Sequence, residues 1–405
     1  MKRMKKEAFT CRRGELTIRG VLYHPQQPAE TGSGGKYPAA ILSHGFMANY
    51  RSMEKYARMF ARMGFAAVAY DFCGGGLAVR SDGRTEDMSV LTEKEDLKAV
   101  IAAVSDLPFV NPEDITLVGG SQGGFVSAMT AQDLQDKIRR LILFFPALCI
   151  PDDARAGKML MAEFDPEHIP DIVRCGPMKL GKRYVEDVIG MNAFEQIREY
   201  RGPVLILHGS RDDIVKPSYS VEAYRNYRRM RGGDPSEDCQ LVMISGGNHG
   251  FFGRGSRAWD DYTEFAIRKF LEGKRLLLNV DVKLTNAEEE KIDGGRKVKL
   301  FFEGHSSGAW FRGDVVTPAF DEQIFYGKEP ETCCADYVLA GKDFRGNACT
   351  VHVRNKMAPG KNRNWARDWK PEVSTDSEAL SFVNGLRCET YAEGRKMGPF
   401  IHIWG

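Results

Sequence analysis

The sequence predicts two domains: an α/β domain built on a mostly parallel sheet, then a separate all-β domain of barrel or sandwich type. Three observations carry this. Between about residues 15 and 272, short apolar runs alternate with segments of helical spacing, the pattern of strands joined by crossover helices. After Lys274 helical periodicity nearly vanishes, and strand-like runs between glycine-rich turns take over. The 405 residues, 42% hydrophobic and 28% charged, are enough for two globular domains with sizeable cores.

In the α/β part, Ala39–Leu42, Ala66–Tyr70, Ile115–Val118, Leu141–Phe145, Val204–Leu207 and Leu241–Ile244 read as buried strands. Near-continuous apolar runs of this kind suit a parallel sheet covered on both faces. Met53–Met63, Glu93–Leu107, Gly123–Leu134, Ser218–Met230 and Trp259–Leu271 read as the helices, with Gly64 and Gly273 as stop signals. Pro151–Tyr200 breaks the rhythm. It is too long for a simple crossover and holds no strong strand, so it reads as a cap inserted over the site. The expected division is residues 1–274, with the cap at about 151–200, and residues 275–405. In the second part Leu276–Leu284, Lys297–Phe302, Ala309–Val315, Ala335–Leu339, Ala348–Val353 and Phe400–Trp404 read as strands. One helical stretch is expected there, at Asp376–Asn384.

Composition excludes several functions. A net charge of +2 gives no basic excess for a nucleic-acid partner. No apolar run approaches the ~18 residues needed to span a bilayer. The basic N-terminus, Met1-Lys2-Arg3-Met4-Lys5-Lys6, is not followed by an apolar signal segment. A cytoplasmic protein without membrane association is therefore expected. The nine cysteines are odd in number, irregular in spacing and lack a C-x-x-C, so they read as reduced thiols and not as a metal site. No metal or organic cofactor is expected.

The chemistry centres on Gly119-Gly120-Ser121-Gln122-Gly123, a G-x-S-x-G between a strand and a helix. A tight turn there exposes the serine hydroxyl at the carboxyl end of the sheet. A phosphate cradle would need a G-x-x-x-x-G-K-[ST] or a G-x-G-x-x-G, and neither is present here. Serine is a weak nucleophile and needs a base. Among eight histidines, His249 follows the last strand of this domain with glycines on both sides, in a loop able to aim an imidazole. His24, His44, His168, His208, His305, His352 and His402 are assigned to strand ends, turns, the cap or the β-domain. The orienting acid should end the preceding strand, where Asp212 and Asp213 are both available and Asp212 has the better place in the turn. The order Ser121…Asp212…His249 then matches neither protease alternative. Backbone donors for an oxyanion should come from Gln122, at the amino end of the helix, and from Phe46, in the turn after the Ala39–Leu42 strand.

With these residues placed, residues 15–272 resemble the α/β-hydrolase superfamily, and within it the bacterial cinnamoyl (feruloyl) esterases. His44-Gly45-Phe46, Ser121-Gln122-Gly123-Gly124, His208-Gly209-Ser210-Arg211-Asp212 and Asn248-His249-Gly250-Phe251 carry the resemblance. The cap segments Pro151–Gly157, Asp165–Asp171 and Leu180–Tyr184 add to it. It implies a serine esterase acting on hydroxycinnamate esters, with Asp153 and Tyr184 on the phenolic ring hydroxyls. The alternatives are a helix N-cap for Asp153 and cap packing for Tyr184. Two departures stand out. A glutamine that joins the ring contact in the family is replaced by Leu160. Tyr70–Gly76 also lacks the family's spaced glycine pair followed by serine, so Asp71 is read as shaping its loop. Phe311–Val315 and Ala335–Gly341 resemble a family of small uncharacterised β-barrel proteins. Trp310, Trp365, Trp369 and Trp404 read as core aromatics, with a ligand groove as the alternative.

The expected activity is hydrolysis of a small-molecule carboxylic ester through an acyl-enzyme. A serine peptidase and a thioesterase share the triad. A binding protein with its function in the β-domain is the rival outside enzymology.

Overall fold

The computed structural model describes residues 4–26, 35–232, 238–357 and 364–405. It divides into two compact units, Met1–Asp260 and Asp261–Gly405. The first three residues of the basic N-terminus lie outside the described residues.

The first unit opens with an antiparallel hairpin, β1 (Met4–Arg13) and β2 (Leu16–Pro25). β1 was not legible in the sequence. It is an edge strand, and edge strands carry charged side chains that blunt further pairing, which removes the apolar signature. His24 lies within β2, near its end. Then come β3 (Tyr37–Ser43), α1 (Arg51–Arg62), β4 (Ala66–Tyr70), α2 (Val90–Ser105), β5 (Val110–Gly120), α3 (Gln122–Asp133) and β6 (Ile138–Phe144). The cap holds α4 (Ile150–Arg155), two small hairpins and α5 (Arg183–Ile189). The hairpins pair β7 (Lys158–Met159) with β8 (Ala162–Glu163), and β9 (Ile172–Cys175) with β10 (Met178–Gly181). The unit returns to its sheet with β11 (Val204–Gly209), α6 (Pro217–Arg229) and β12 (Cys239–Ile244), and α7 (Ser256–Leu271) follows.

The eight strands are ordered β1-β2-β4-β3-β5-β6-β11-β12. From β4 to β12 all neighbours are parallel. Ala39–Leu42, Ala66–Tyr70 and Leu141–Phe144 are wholly removed from solvent, as a sheet covered on both faces requires. Local signals set the helix ends. Ser89 Oγ accepts from Thr92 N (3.2 Å) while Ser89 N donates to Thr92 Oγ1 (2.8 Å), a reciprocal cap that starts α2. Gly64 takes φ 100° just after α1, a conformation that ends a helix at little cost to glycine.

The second unit begins within α7, earlier than the expected boundary at 274/275. The physical reason is where that helix's side chains pack. The Tyr262 ring lies 4.2 Å from His402 and 4.7 Å from Tyr391, and Lys269 pairs with Glu389 at 2.9 Å. The strands that follow are β13 (Leu276–Ile292), β14 (Gly295–Ser307), β15 (Phe311–Val315), β16 (Ala319–Phe325), β17 (Pro330–Asp343), β18 (Ala348–Met357), β19 (Trp369–Thr375), β20 (Glu389–Glu393) and β21 (Phe400–Trp404). Every pairing is antiparallel. β15 and β16 both bridge β14 and β17, like two halves of one bent strand, and the ends of the path, β19 and β20, lie side by side. The result is barrel-like. The helix expected at Asp376–Asn384 is one 3₁₀ turn, Ser381–Val383. Its N-terminal side is a hydrogen-bonded turn, in which Ser377 Oγ accepts from Leu380 N at 3.2 Å. Trp310 and Trp404 are core residues, as expected, but Trp365 and Trp369 line an interior cavity.

Candidate active site

The turn from β5 to α3 forces Ser121 into φ 53°, ψ −121°, a region that side chains rarely occupy. Backbone bonds hold it there. Ser121 N donates to Phe144 O (2.9 Å), and its carbonyl accepts from Gly124 N (2.9 Å) and Ala147 N (2.9 Å). Glycine is required on both sides because backbone closes in. A Cβ on Gly119 would stand 2.2 Å from Gly123 O, and one on Gly123 would stand 2.3 Å from His44 O. Ser121 is partly exposed while residues 119–124 around it are buried, so its hydroxyl is what the turn presents.

His249 reaches this hydroxyl from the loop after β12. Its Nε2 lies 3.1 Å from Ser121 Oγ and its Nδ1 lies 2.8 Å from Asp212 Oδ2. Phe145 packs against the imidazole at 4.5 Å between ring centroids. Asp212, in the turn after β11, is buried, whereas Asp213 is exposed. Asp212 Oδ1 accepts from Ile214 N (3.0 Å) and Val215 N (2.9 Å), and Oδ2 also lies 3.1 Å from His208 Nε2. Burial acts to raise this carboxyl, but the bonds from His208 and His249 outweigh it and hold the group well below the usual carboxylate range. His208 was set aside in the sequence. Its Nε2 also faces Val215 O at 2.9 Å, and its Nδ1 lies 2.6 Å from Ser220 Oγ, so the ring braces the Asp212 turn from inside the sheet.

The turn after β3 lies beside the serine. A Cβ on Gly45 would stand 3.0 Å from Ser121 Cβ. His44 fixes this turn: its Nδ1 bonds Gly45 O (2.8 Å) and its Nε2 accepts from Phe72 N (3.1 Å). Burial pushes the His44 imidazole down, in keeping with a neutral ring. Asp71 ties the neighbouring loops, accepting from Tyr50 N (2.7 Å) and Arg80 N (2.8 Å). Gln122 N, as the first residue of α3, has no intrahelical acceptor, and Phe46 lies next to Gly45 in the turn.

The cap residues distribute differently. Asp153 is half-buried on α4, and burial raises its carboxyl against a bond from Cys149. Tyr184 is buried, and its hydroxyl donates to Gln122 Oε1. Gln122 Nε2 in turn donates to Glu93 Oε2 at 2.8 Å. Burial pushes the Glu93 carboxyl well above its ordinary range. Leu160 stands at the tip of the β7–β8 hairpin, 47% exposed at φ 52°. Glu93 escaped the sequence reading because an acidic residue in a first helical turn is ordinary on a surface. Among the described residues no group of three or more His, Cys, Asp or Glu side chains could hold a metal, and no helix is long and apolar enough to cross a membrane.

A strained serine on a strand-to-helix turn, a histidine within reach and a buried acid behind it, on this strand order, give the first unit the α/β-hydrolase fold, and it is similar to esterases of that superfamily. Residues 38–184 match the family described as Serine aminopeptidase, S33. The structure of Est1E from Butyrivibrio proteoclasticus with ferulic acid bound is similar at 29% identity and TM-score 0.56, covering 64% of this chain and 98% of that one. A second Est1E structure gives 25% identity and TM-score 0.54, covering 65% and 99%. DcsB in complex with its substrate analogue, at 20% identity and TM-score 0.50 over 65% and 99%, is a likeness of fold. No curated protein matches the chain.

Proposed function

We propose that the chain is a serine carboxylic-ester hydrolase working through an acyl-enzyme, with hydroxycinnamate esters as its substrate class. The observation that supports this best is the hydrogen-bond chain from Ser121 Oγ through His249 to Asp212. Ser121 Oγ attacks the ester carbonyl carbon and its proton passes to His249 Nε2. Asp212 holds the Nδ1 proton and stabilises the imidazolium. The oxyanion is received by the Phe46 and Gln122 N–H groups, each such donor lowering the barrier by ~3 kcal/mol. The tetrahedral intermediate collapses, and the leaving alkoxide takes the proton from His249. Water then attacks the acyl-enzyme, giving its proton to the same nitrogen, and the acid leaves as Ser121 regains its proton.

The substrate class is supported by the likeness to Est1E, whose structure holds ferulic acid. In this reading half-buried Asp153 meets the phenolic hydroxyl. Tyr184, committed to Gln122, acts through α3, and Leu160 takes no part. The match to the Serine aminopeptidase family gives the second reading, a peptidase using the same three residues.

The test is hydrolysis of methyl ferulate, p-nitrophenyl butyrate and an alanine p-nitroanilide by wild type and Ser121→Ala. Ester cleavage that falls by up to ~10⁶ in the variant supports the proposal, and preference for the ferulate supports the substrate class. Cleavage of the anilide ahead of both esters supports the peptidase. Equal ester rates in variant and wild type overturn the proposal.

A further inference from the structure

The interior of the second unit encloses a cavity of about 450 Å³. Strand alternation creates it. Leu300, Asp321, Ala335 and Asn355 stand opposite one another across β14, β16, β17 and β18, and all four face the cavity. The rest of the wall is mainly apolar and aromatic, with Phe302, Trp365 and Trp369 among it. Trp365 is 43% exposed, and its ring centroid lies 6.4 Å from that of Trp369, so this side of the cavity reaches solvent.

Asp321, Gln323, Tyr337 and Asn355 break the apolar lining, and two of them carry a polar atom without a partner. Asp321 Oδ2 accepts from Gln323 Nε2 at 2.6 Å, but its Oδ1 is buried without a hydrogen-bond partner. The hydroxyl of Tyr337, a residue 4% exposed, is likewise buried without a partner. A buried polar group left unpaired is destabilising, and folds retain such groups where something partners them. Burial raises the Asp321 carboxyl to about 6. Among the described residues no other carboxylate or cationic side chain lines this cavity.

We propose that the cavity is a binding site for a small, flat, one- or two-ring molecule carrying an amine or hydroxyl that donates to Asp321 Oδ1. The volume lies at the lower end of small-molecule sites, ~300–1,000 Å³, which sets the ring count. The tryptophan and phenylalanine rings supply an aromatic wall. A ligand carboxylate would set two anionic acceptors face to face, so acids are disfavoured. The inference is independent of the reaction assigned to the first unit.

The experiment is calorimetric titration of the full chain with three probes of one ring system: 1-naphthylmethylamine, 1-naphthalenemethanol and 1-naphthoate. The amine and alcohol are expected to bind, and the naphthoate to bind at least about ten-fold more weakly. Asp321→Asn, close in shape, should weaken the amine by at least about ten-fold and the alcohol by less. Ala335→Phe, which fills the space between Asp321 and Asn355, should abolish binding of both. No binding of the amine or alcohol at about 1 mM overturns the proposal. So does naphthoate affinity equal to the amine's, or amine affinity unchanged in Asp321→Asn. Binding that persists in a folded Ala335→Phe puts the probe elsewhere and also overturns it.

Discussion

Asp212→Asn tests the assignment of the acid, because the hydrogen bonds around this side chain leave the amide no good orientation. If the amide oxygen keeps the Ile214 and Val215 N–H bonds at 3.0 and 2.9 Å, the amide nitrogen faces His249 Nδ1. That nitrogen must then accept, so the ring proton moves to Nε2, facing Ser121 Oγ, and the imidazole no longer serves as a base. His208 does not oppose this orientation strongly, since its Nε2 retains Val215 O as an acceptor. The opposite orientation restores the productive tautomer but points an NH₂ at two backbone donors, one buried and one part-buried. Leaving two such groups unmet costs about 1–3 kcal/mol each, so reaching the active arrangement costs about 2–6 kcal/mol. The expected fall in kcat on p-nitrophenyl butyrate is between about 30-fold and about 10⁴-fold, the upper end being what this change costs in triad hydrolases. The assay is steady-state hydrolysis beside thermal unfolding, which should show a folded protein. A folded Asp212→Asn variant within about three-fold of wild type would refute the claim that Asp212 sets the His249 tautomer.

The other expectations follow from equally local geometry. Gly123→Ala places a methyl 2.3 Å from His44 O and should cost at least ~10² in kcat with a lowered Tm, whereas Gly120→Ala, whose nearest neighbours lie at 3.6 and 3.7 Å, should be tolerated. Tyr184→Phe leaves the buried Gln122 Oε1 without its donor and should destabilise the fold by about 1–3 kcal/mol. Its kcat/KM should fall alike for methyl ferulate and p-nitrophenyl butyrate, and a loss confined to the ferulate would instead show a ring contact. Asp321 titrates near 3.8 when unfolded and at about 6 when folded, so its ionisation weakens the second unit progressively as pH rises from about 4 to about 6. Asp321→Asn should therefore unfold at higher temperature than wild type near pH 8, by an amount equivalent to at most about 3 kcal/mol, and the gap should close below about pH 4. A variant no more stable than wild type at pH 8 would show that the carboxylate is not penalised by its surroundings.

Much of the first unit was legible because its signals are local or lie in chain order. Buried parallel strands are apolar throughout, and the β5–α3 turn tolerates only glycine where backbone crowds it. Ser121, Asp212 and His249 each sit just past a readable strand. What escaped involves side chains whose meaning depends on distant partners. His208 looked like a strand end until its Nε2 was placed beside Asp212, and Glu93 looked like a surface acid until Gln122 and Tyr184 closed over it. β16 was invisible because Asp321 and Gln323 occupy its inward positions and erase the alternation that marks a strand. Periodicity, with the G-x-S-x-G motif, thus determined by itself where the inner strands and crossover helices of the first unit run and which serine, acid and histidine follow them. Only the tertiary structure decided which buried polar atoms meet a partner, because hydrogen bonding and burial are set by residues far apart in the chain.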